Sequence, residues 1–109
     1  MPRFMTEKAI DAGDGSGTNV LTSEVFDLRN SYGYCVQAVF SGGTPTGTLK
    51  VQGSINESTW VDITSVAVSA TGTVGDNKDA IYWPYIRVQY TGTAGTAVVV
   101  NAWLNTKGA

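Results

Sequence analysis

Few residues in this chain can do chemistry, and their spacing argues against most of it. There is no histidine, which removes Ser-His-Asp and Cys-His catalysis, imidazole-bound zinc and the commonest general base near neutral pH. The single cysteine, Cys35, cannot build a four-thiolate zinc site or an internal disulfide. It falls in the apolar run 34–40, where a free cysteine is expected to be a small buried hydrophobe. Asp76-Asn77-Lys78-Asp79 offers oxygens to a cation such as Ca2+, which gathers about 6–8 of them. The spacing does not match an EF-hand loop and Lys78 sits in the middle, so a solvated loop is expected. Asn56, Glu57 and Asp62 flank Trp60, but they share one tight connection, whereas a glycosidase needs two carboxyls facing across a cleft. The GDGSG at 13–17 neither follows a strand nor opens a helix, and no GxxxxGK[ST] is present, so no phosphate cradle is expected. The expectation is no catalytic residue, no cofactor and no metal.

The aromatics leave one binding chemistry open. Trp60, Tyr85 and Trp103, with Arg87, Gln89 and Asn101 nearby, could stack on and hydrogen-bond a sugar. The favoured expectation is instead that Trp60 and Trp103 plug the ends of a small β core or meet another subunit, as large aromatics do.

The totals narrow the partners. A chain of 109 residues, 42% hydrophobic and 15% charged, suits one globular domain rather than a disordered segment. Seven basic against nine acidic residues give a net charge of −2, with no Lys/Arg stripe to neutralise a duplex or anchor a helix on a membrane. MPRFMTEKAIDAGDGSG has no apolar core of a secretory leader. No apolar run approaches the roughly 20 residues of a membrane-spanning helix. Neither nucleic acid nor membrane is an expected partner, and synthesis in a cytosol is expected.

The elements that position these residues read as all-β. Residues 1–18 are polar with no sustained period and read as a flexible N-terminal arm; residues 19–109 read as one β-sandwich domain. From Asn19 onward, short β-branched and apolar runs alternate with Gly, Thr, Ser, Pro and Asn, as in a sandwich or barrel. Strands are expected at 20–28, 33–41, 48–55, 59–63, 65–71, 79–83, 85–91 and 97–105. About eight antiparallel strands suit two packed sheets of jelly-roll type. Gly42-Gly43-Thr44-Pro45-Thr46-Gly47 reads as a loop between neighbours.

The last two strands are expected to form a hairpin closed by Thr93-Ala94-Gly95, with Gly95 supplying a positive φ. In that register Arg87 faces Asn101, Tyr85 faces Trp103 and Gln89 faces Val99. Ile86, Val88, Tyr90, Val98, Val100 and Leu104 form the core side. Tyr85, Arg87, Gln89, Asn101 and Trp103 then make one strip, a candidate subunit interface because Tyr, Trp and Arg anchor such surfaces. Arg3 and Phe4 of the arm are further interface candidates.

GTLKVQGS, TWVDI, YIRVQYTGTAGT and the closing LNTKGA together resemble a set of small β-rich proteins of tailed bacteriophages. In that set a strand ending in a Ser-rich turn precedes a Trp, the last hairpin reads Tyr-x-Arg-x-x-Tyr with a later Gly, and the chain closes on Lys-Gly. The matching positions here are Ser54, Trp60, Tyr85, Arg87, Tyr90, Gly95, Lys107 and Gly108. The turn before Trp60 departs from the pattern, reading Asn-Glu-Ser-Thr in place of an Asn-Asp-Gly type. The resemblance covers about residues 32–108 and implies a non-enzymatic virion structural protein. Its implied role is capsid decoration or stabilisation on the assembled head shell, with the major capsid protein or another virion subunit as partner and a homo-oligomer as the working form. A carbohydrate- or receptor-binding tail or fibre adhesin, and an accessory tail or neck protein, are the alternatives.

Overall fold

The computed structural model describes residues 3–27, 31–78 and 82–108. Seven strands follow in chain order: β1 (Arg3–Asp14), β2 (Val20–Thr22), β3 (Phe26–Asp27), β4 (Ser31–Ser54), β5 (Val61–Val68), β6 (Gly72–Lys78) and β7 (Tyr85–Gly108). Two of them, β4 and β7, are 24 residues long and pair antiparallel along their whole length, from Ser31 opposite Gly108 to Ser54 opposite Tyr85. The other strands flank this central pair. β1 borders the late part of β7 and β6 the early part of β4; β2 and β3 border the early part of β7 and β5 the late part of β4.

The hydrogen-bonded sheet is continuous, but it is bent double. Tyr34 and Thr64 share a hydrogen bond between their hydroxyls, although Thr64 pairs with Val51, 17 positions beyond Tyr34 along β4. An extended strand would hold those positions about 56 Å apart. Two four-stranded half-sheets therefore face each other, which is the sandwich expected from the alternation. In the first, the strand order is β1, β7, β4, β6; in the second it is β2 with β3, β7, β4, β5.

The core lies between them. Tyr34, Val36, Ala38 and Phe40 face inward from the first half-sheet, as do Val98, Val100, Ala102 and Leu104. Leu49, Val51, Ile86, Val88 and Tyr90 meet them from the second, with the Phe40 and Tyr90 rings 5.0 Å apart. Burial of each Val, Leu, Ile or Phe among them stabilises by roughly 1.5–3 kcal/mol. The core side expected for residues 86–104 is the one observed.

The connection at 93–95 is a correction. Residues 85–91 and 97–105 do not pair with each other; they are successive parts of β7 lying in opposite half-sheets. Between the pairs Ser41–Val99 and Gly47–Gly92 the bend takes six steps along β4 but seven along β7. That extra residue switches the inward positions of β4 from even to odd numbers, as a bulge does. Gly42 has φ +99°, and a Cβ there would collide with the Ala97 carbonyl. Gly42 to Gly47, expected as a loop, is thus the corner of one strand, with Pro45 buried inside it.

Residues 3–14 are a second correction. They form no free arm: β1 pairs with β7 from Arg3 opposite Gly108 to Asp14 opposite Val99, and Ile10 joins the core. Register shifts after Lys8 and after Ile10 break the two-residue period, which is why no strand was expected there. Beyond β1, Gly15 N donates to Val98 O and Gly17 N to Gly95 O, so the glycine-rich 13–17 segment laces across the corner of β7. Residues 72–78, expected to contain a solvated loop, are strand β6. Asp79 lies outside the described residues, as does most of the strand expected at 79–83. The two strands expected at 59–63 and 65–71 are one, β5, with a register shift opposite Val51 and Gln52.

Candidate functional site

The bend divides the expected strip. Tyr85, Arg87 and Gln89 lie on the outer face of the second half-sheet, while Asn101 and Trp103 lie on the outer face of the first, across the core. No Arg87–Asn101 or Tyr85–Trp103 pair forms; Arg87 is opposite Gln52 and Trp103 opposite Gln37. Of Arg3 and Phe4, both in β1, only the backbone is described. The two outer faces differ in chemistry.

On the second half-sheet the polar groups satisfy one another. Arg87 Nε donates to Gln52 Oε1 at 2.8 Å, and Gln52 Nε2 donates to Asp62 Oδ1 at 2.8 Å. Lys50 Nζ lies 3.4 Å from the other Asp62 oxygen. The Gln52 hydrogen bond, with help from Lys50, holds the Asp62 carboxyl below its ordinary 3.8. Trp60 covers the far end, its ring 4.4 Å from Arg87 Cζ, a cation–π contact worth about 0.5–1 kcal/mol at an exposed site. Trp60 is held there by the 55–60 turn. Ser54 Oγ accepts from the Asn56 and Glu57 amides, and Asn56 Oδ1 accepts from the Ser58 and Thr59 amides. The Glu57 backbone amide therefore serves the turn, and the Asp62 carboxylate a cross-strand ladder.

The first half-sheet presents a different surface. Three cross-strand rows run β7, β4, β6: Asn101, Val39, Thr73; then Trp103, Gln37, Gly75; then Asn105, Cys35, Asn77. None of these nine residues is charged, and four are carboxamides. Trp103 is half-buried and Gln37 exposed. Together with Cys35, Val39 and Asn105 they line a shallow groove of about 480 Å3. Lys8 of β1 sits at its rim, Nζ 5.3 Å from the Trp103 ring centroid and 2.9 Å from Asp11 Oδ1. Asn101 Oδ1 accepts from the Ala12 amide at 2.8 Å, fixing that rim to β1.

The expected burial of Cys35 and the core-plug half of the expectation for Trp60 and Trp103 fail here. Cys35 is exposed, because its neighbours Tyr34 and Val36 take the inward positions. Trp60 and Trp103 do not plug the sandwich. Trp83, which sequence reasoning passed over, packs against the core at one end, where a Cβ on Gly53 would press on its ring. The Trp-Pro pair at 83–84 just before a strand was the available signal. Among the described residues no group of three or more His, Cys, Asp or Glu could hold a metal, and no helix is long and apolar enough to cross a membrane.

No protein-family model matches the chain, and no curated protein matches its sequence. Solved structures do match its fold. The PBSX exported protein XepA superposes with a TM-score of 0.81 at 16% identity, over 96% of this chain. The chain spans only 37% of XepA's length. The SPBc2 prophage-derived protein YomS superposes with a TM-score of 0.65 at 10% identity, over 99% of this chain and 96% of YomS. The CBM36-1 domain of a multidomain xylanase from the hindgut metagenome of Trinervitermes trinervoides gives 0.53 at 7% identity, over 98% of both chains. At these identities the likeness is one of fold: a small antiparallel β-sandwich shared by phage-derived proteins and carbohydrate-binding modules.

Proposed function

We propose that this chain is a non-enzymatic structural protein of a tailed-bacteriophage particle, acting as a decoration or stabilising subunit on the assembled head. The observation that carries this reading is the end-to-end fold match with prophage-derived YomS, which covers nearly all of both chains. The motifs shared with small phage proteins point the same way. The partner is the major capsid protein, the working form is a homo-oligomer, and the place is the virion. The commitment of Asp62, Gln52, Arg87 and Lys50 to one another supports a non-catalytic role for that group.

The docking end in this reading is where β4 finishes and β7 begins. Tyr82 is 95% exposed and Ile55 74%, and Val61 and Tyr85 flank Gly53 and Ser54 in register. Exposed apolar side chains gathered at one end of a sandwich are what a protein contact buries. Purified protein added to assembled heads should co-sediment with them, and Ile55→Asp with Tyr82→Ala should lower the bound fraction while leaving the fold intact. Absence of co-sedimentation at saturating protein would sink the head-binding reading.

A further inference from the structure

We propose that the outer face of the first half-sheet binds a neutral glycan, with Trp103 as the stacking platform and Gln37 as a hydrogen-bonding partner. This is independent of the head-binding reading, which uses the opposite end of the second half-sheet.

The lining selects the ligand class. A sugar ring offers a patch of polarised C–H bonds, which complements the negative face of an aromatic ring, and a rim of hydroxyls that both donate and accept. Carboxamides match that rim because each carries an acceptor oxygen and two donor hydrogens. The three rows place four carboxamides around one tryptophan and include no charged side chain; Asn101 Oδ1 is taken by the Ala12 amide and Asn105 is also engaged, so Gln37 is the group that meets the ligand. Among the described side chains the nearest cation, Lys8, is already paired with Asp11 at 2.9 Å. Within these three rows an anionic ligand finds no cation and a cationic one no carboxylate. A nucleic acid is excluded on the same ground.

Shape and contrast agree. The groove of about 480 Å3 lies within the usual range of roughly 300–1,000 Å3 for small-molecule sites. It continues over β6 into a second shallow depression bordered by Thr73, Asp76 and Asn77, with Asp76 opposite the inward-facing Val36 and so outside the three rows. Gly75, opposite Gln37, leaves the middle of that path without a side chain. Two inter-strand steps and four residue steps give a floor of about 10 by 13 Å, long enough for a short oligosaccharide. A subunit interface would bring several apolar anchors to its centre; here only Val39 and Trp103 are large and apolar. The other outer face is also polar, but its Gln52 amide is consumed by Arg87 and Asp62 and its Gln89 amide donates to Thr22. Gln37 has no such partner among the described residues, so its amide is free to meet a ligand.

The test is titration of the full chain, followed by amide-resolved NMR, with neutral glucan, xylan, mannan and chitin oligosaccharides and with an anionic uronic-acid oligomer. At least one neutral oligosaccharide should bind at millimolar affinity or better and shift the amides of residues 35–39, 73–77 and 101–105. Trp103→Ala should weaken that binding at least tenfold, a loss of about 1.4 kcal/mol. Gln37→Ala, at an exposed position, should weaken it with an unchanged melting temperature, and Trp60→Ala should leave it unaltered. No binding across the neutral panel overturns the proposal. So does binding that survives both Trp103→Ala and Gln37→Ala, stronger binding of the anionic oligomer, or shifts confined to residues around Trp60. Dissociation of an oligomer by Gln37→Ala also overturns it, assigning the face to a second copy.

Discussion

Tyr90→Phe should stabilise this protein. Tyr90 is fully buried, with its ring against Phe40 at 5.0 Å, and its hydroxyl has no hydrogen-bond partner among the described residues. The wall beside it is backbone, since a Cβ on Gly47 would lie 2.7 Å from the hydroxyl oxygen. In the unfolded chain water bonds that hydroxyl, so folding carries an uncompensated desolvation of about 1–3 kcal/mol. Phenylalanine keeps the ring contact and removes the polar atom. The expected gain is about 1 kcal/mol or more, a rise in melting temperature of roughly 4 °C for a domain of this size. Urea unfolding read by circular dichroism measures it, the midpoint rising with an unchanged m-value. A loss of about 1 kcal/mol, the usual effect of deleting a bonded hydroxyl, would refute the reasoning and show that the hydroxyl is satisfied. Alkaline titration gives a second reading. Burial raises the Tyr90 hydroxyl above its ordinary 10.0, so its contribution is intact below about 10 and lost as pH climbs toward the folded value. Burial raises Tyr34 too, so Tyr90→Phe should shrink the alkaline loss without abolishing it.

Three further outcomes follow from the same structure. Removing residues 1–17 should abolish cooperative unfolding rather than release a soluble sandwich, because it strips β1 from β7 and takes Ile10 from the core; thermal melting of the truncated chain measures this. Gly42→Ala should cost at least about 1–2 kcal/mol from its left-handed backbone alone, with the Ala97 carbonyl adding to it, as chemical denaturation would show. The Asp62 carboxyl is held below 3.8 by Gln52 and then Lys50. Its stabilising contribution is therefore present above that value and fades as pH falls through the folded one, so Asp62→Asn should flatten the acid limb of a stability–pH profile.

The alternation in 85–91 and 97–105 was enough to separate core from surface. It was not enough to choose their partner. A two-residue period with Gly95 between the runs fits a tight hairpin and fits equally a bulged corner in one long strand. What decides is β4, which pairs with both runs from 31 (Ser54 with Tyr85) to 70 (Cys35 with Asn105) positions earlier. Cys35 was legible in principle, since the alternation that buries Tyr34 and Val36 turns it outward. β1 and β6 were not: one is an edge strand broken by register shifts, and the other, GTVGDNK, is an exposed edge whose residues also suit a turn. The grouping around Trp103 depends on that same corner and on β6, so no local reading of the sequence could assemble it.

The most direct measurement is mass spectrometry of gradient-purified, nuclease-treated phage particles, paired with immunogold labelling of intact ones. The protein should appear at a fixed copy number per particle, with label on the head shell. Its absence from purified particles, with all of it free in the lysate, would contradict a structural role in the virion.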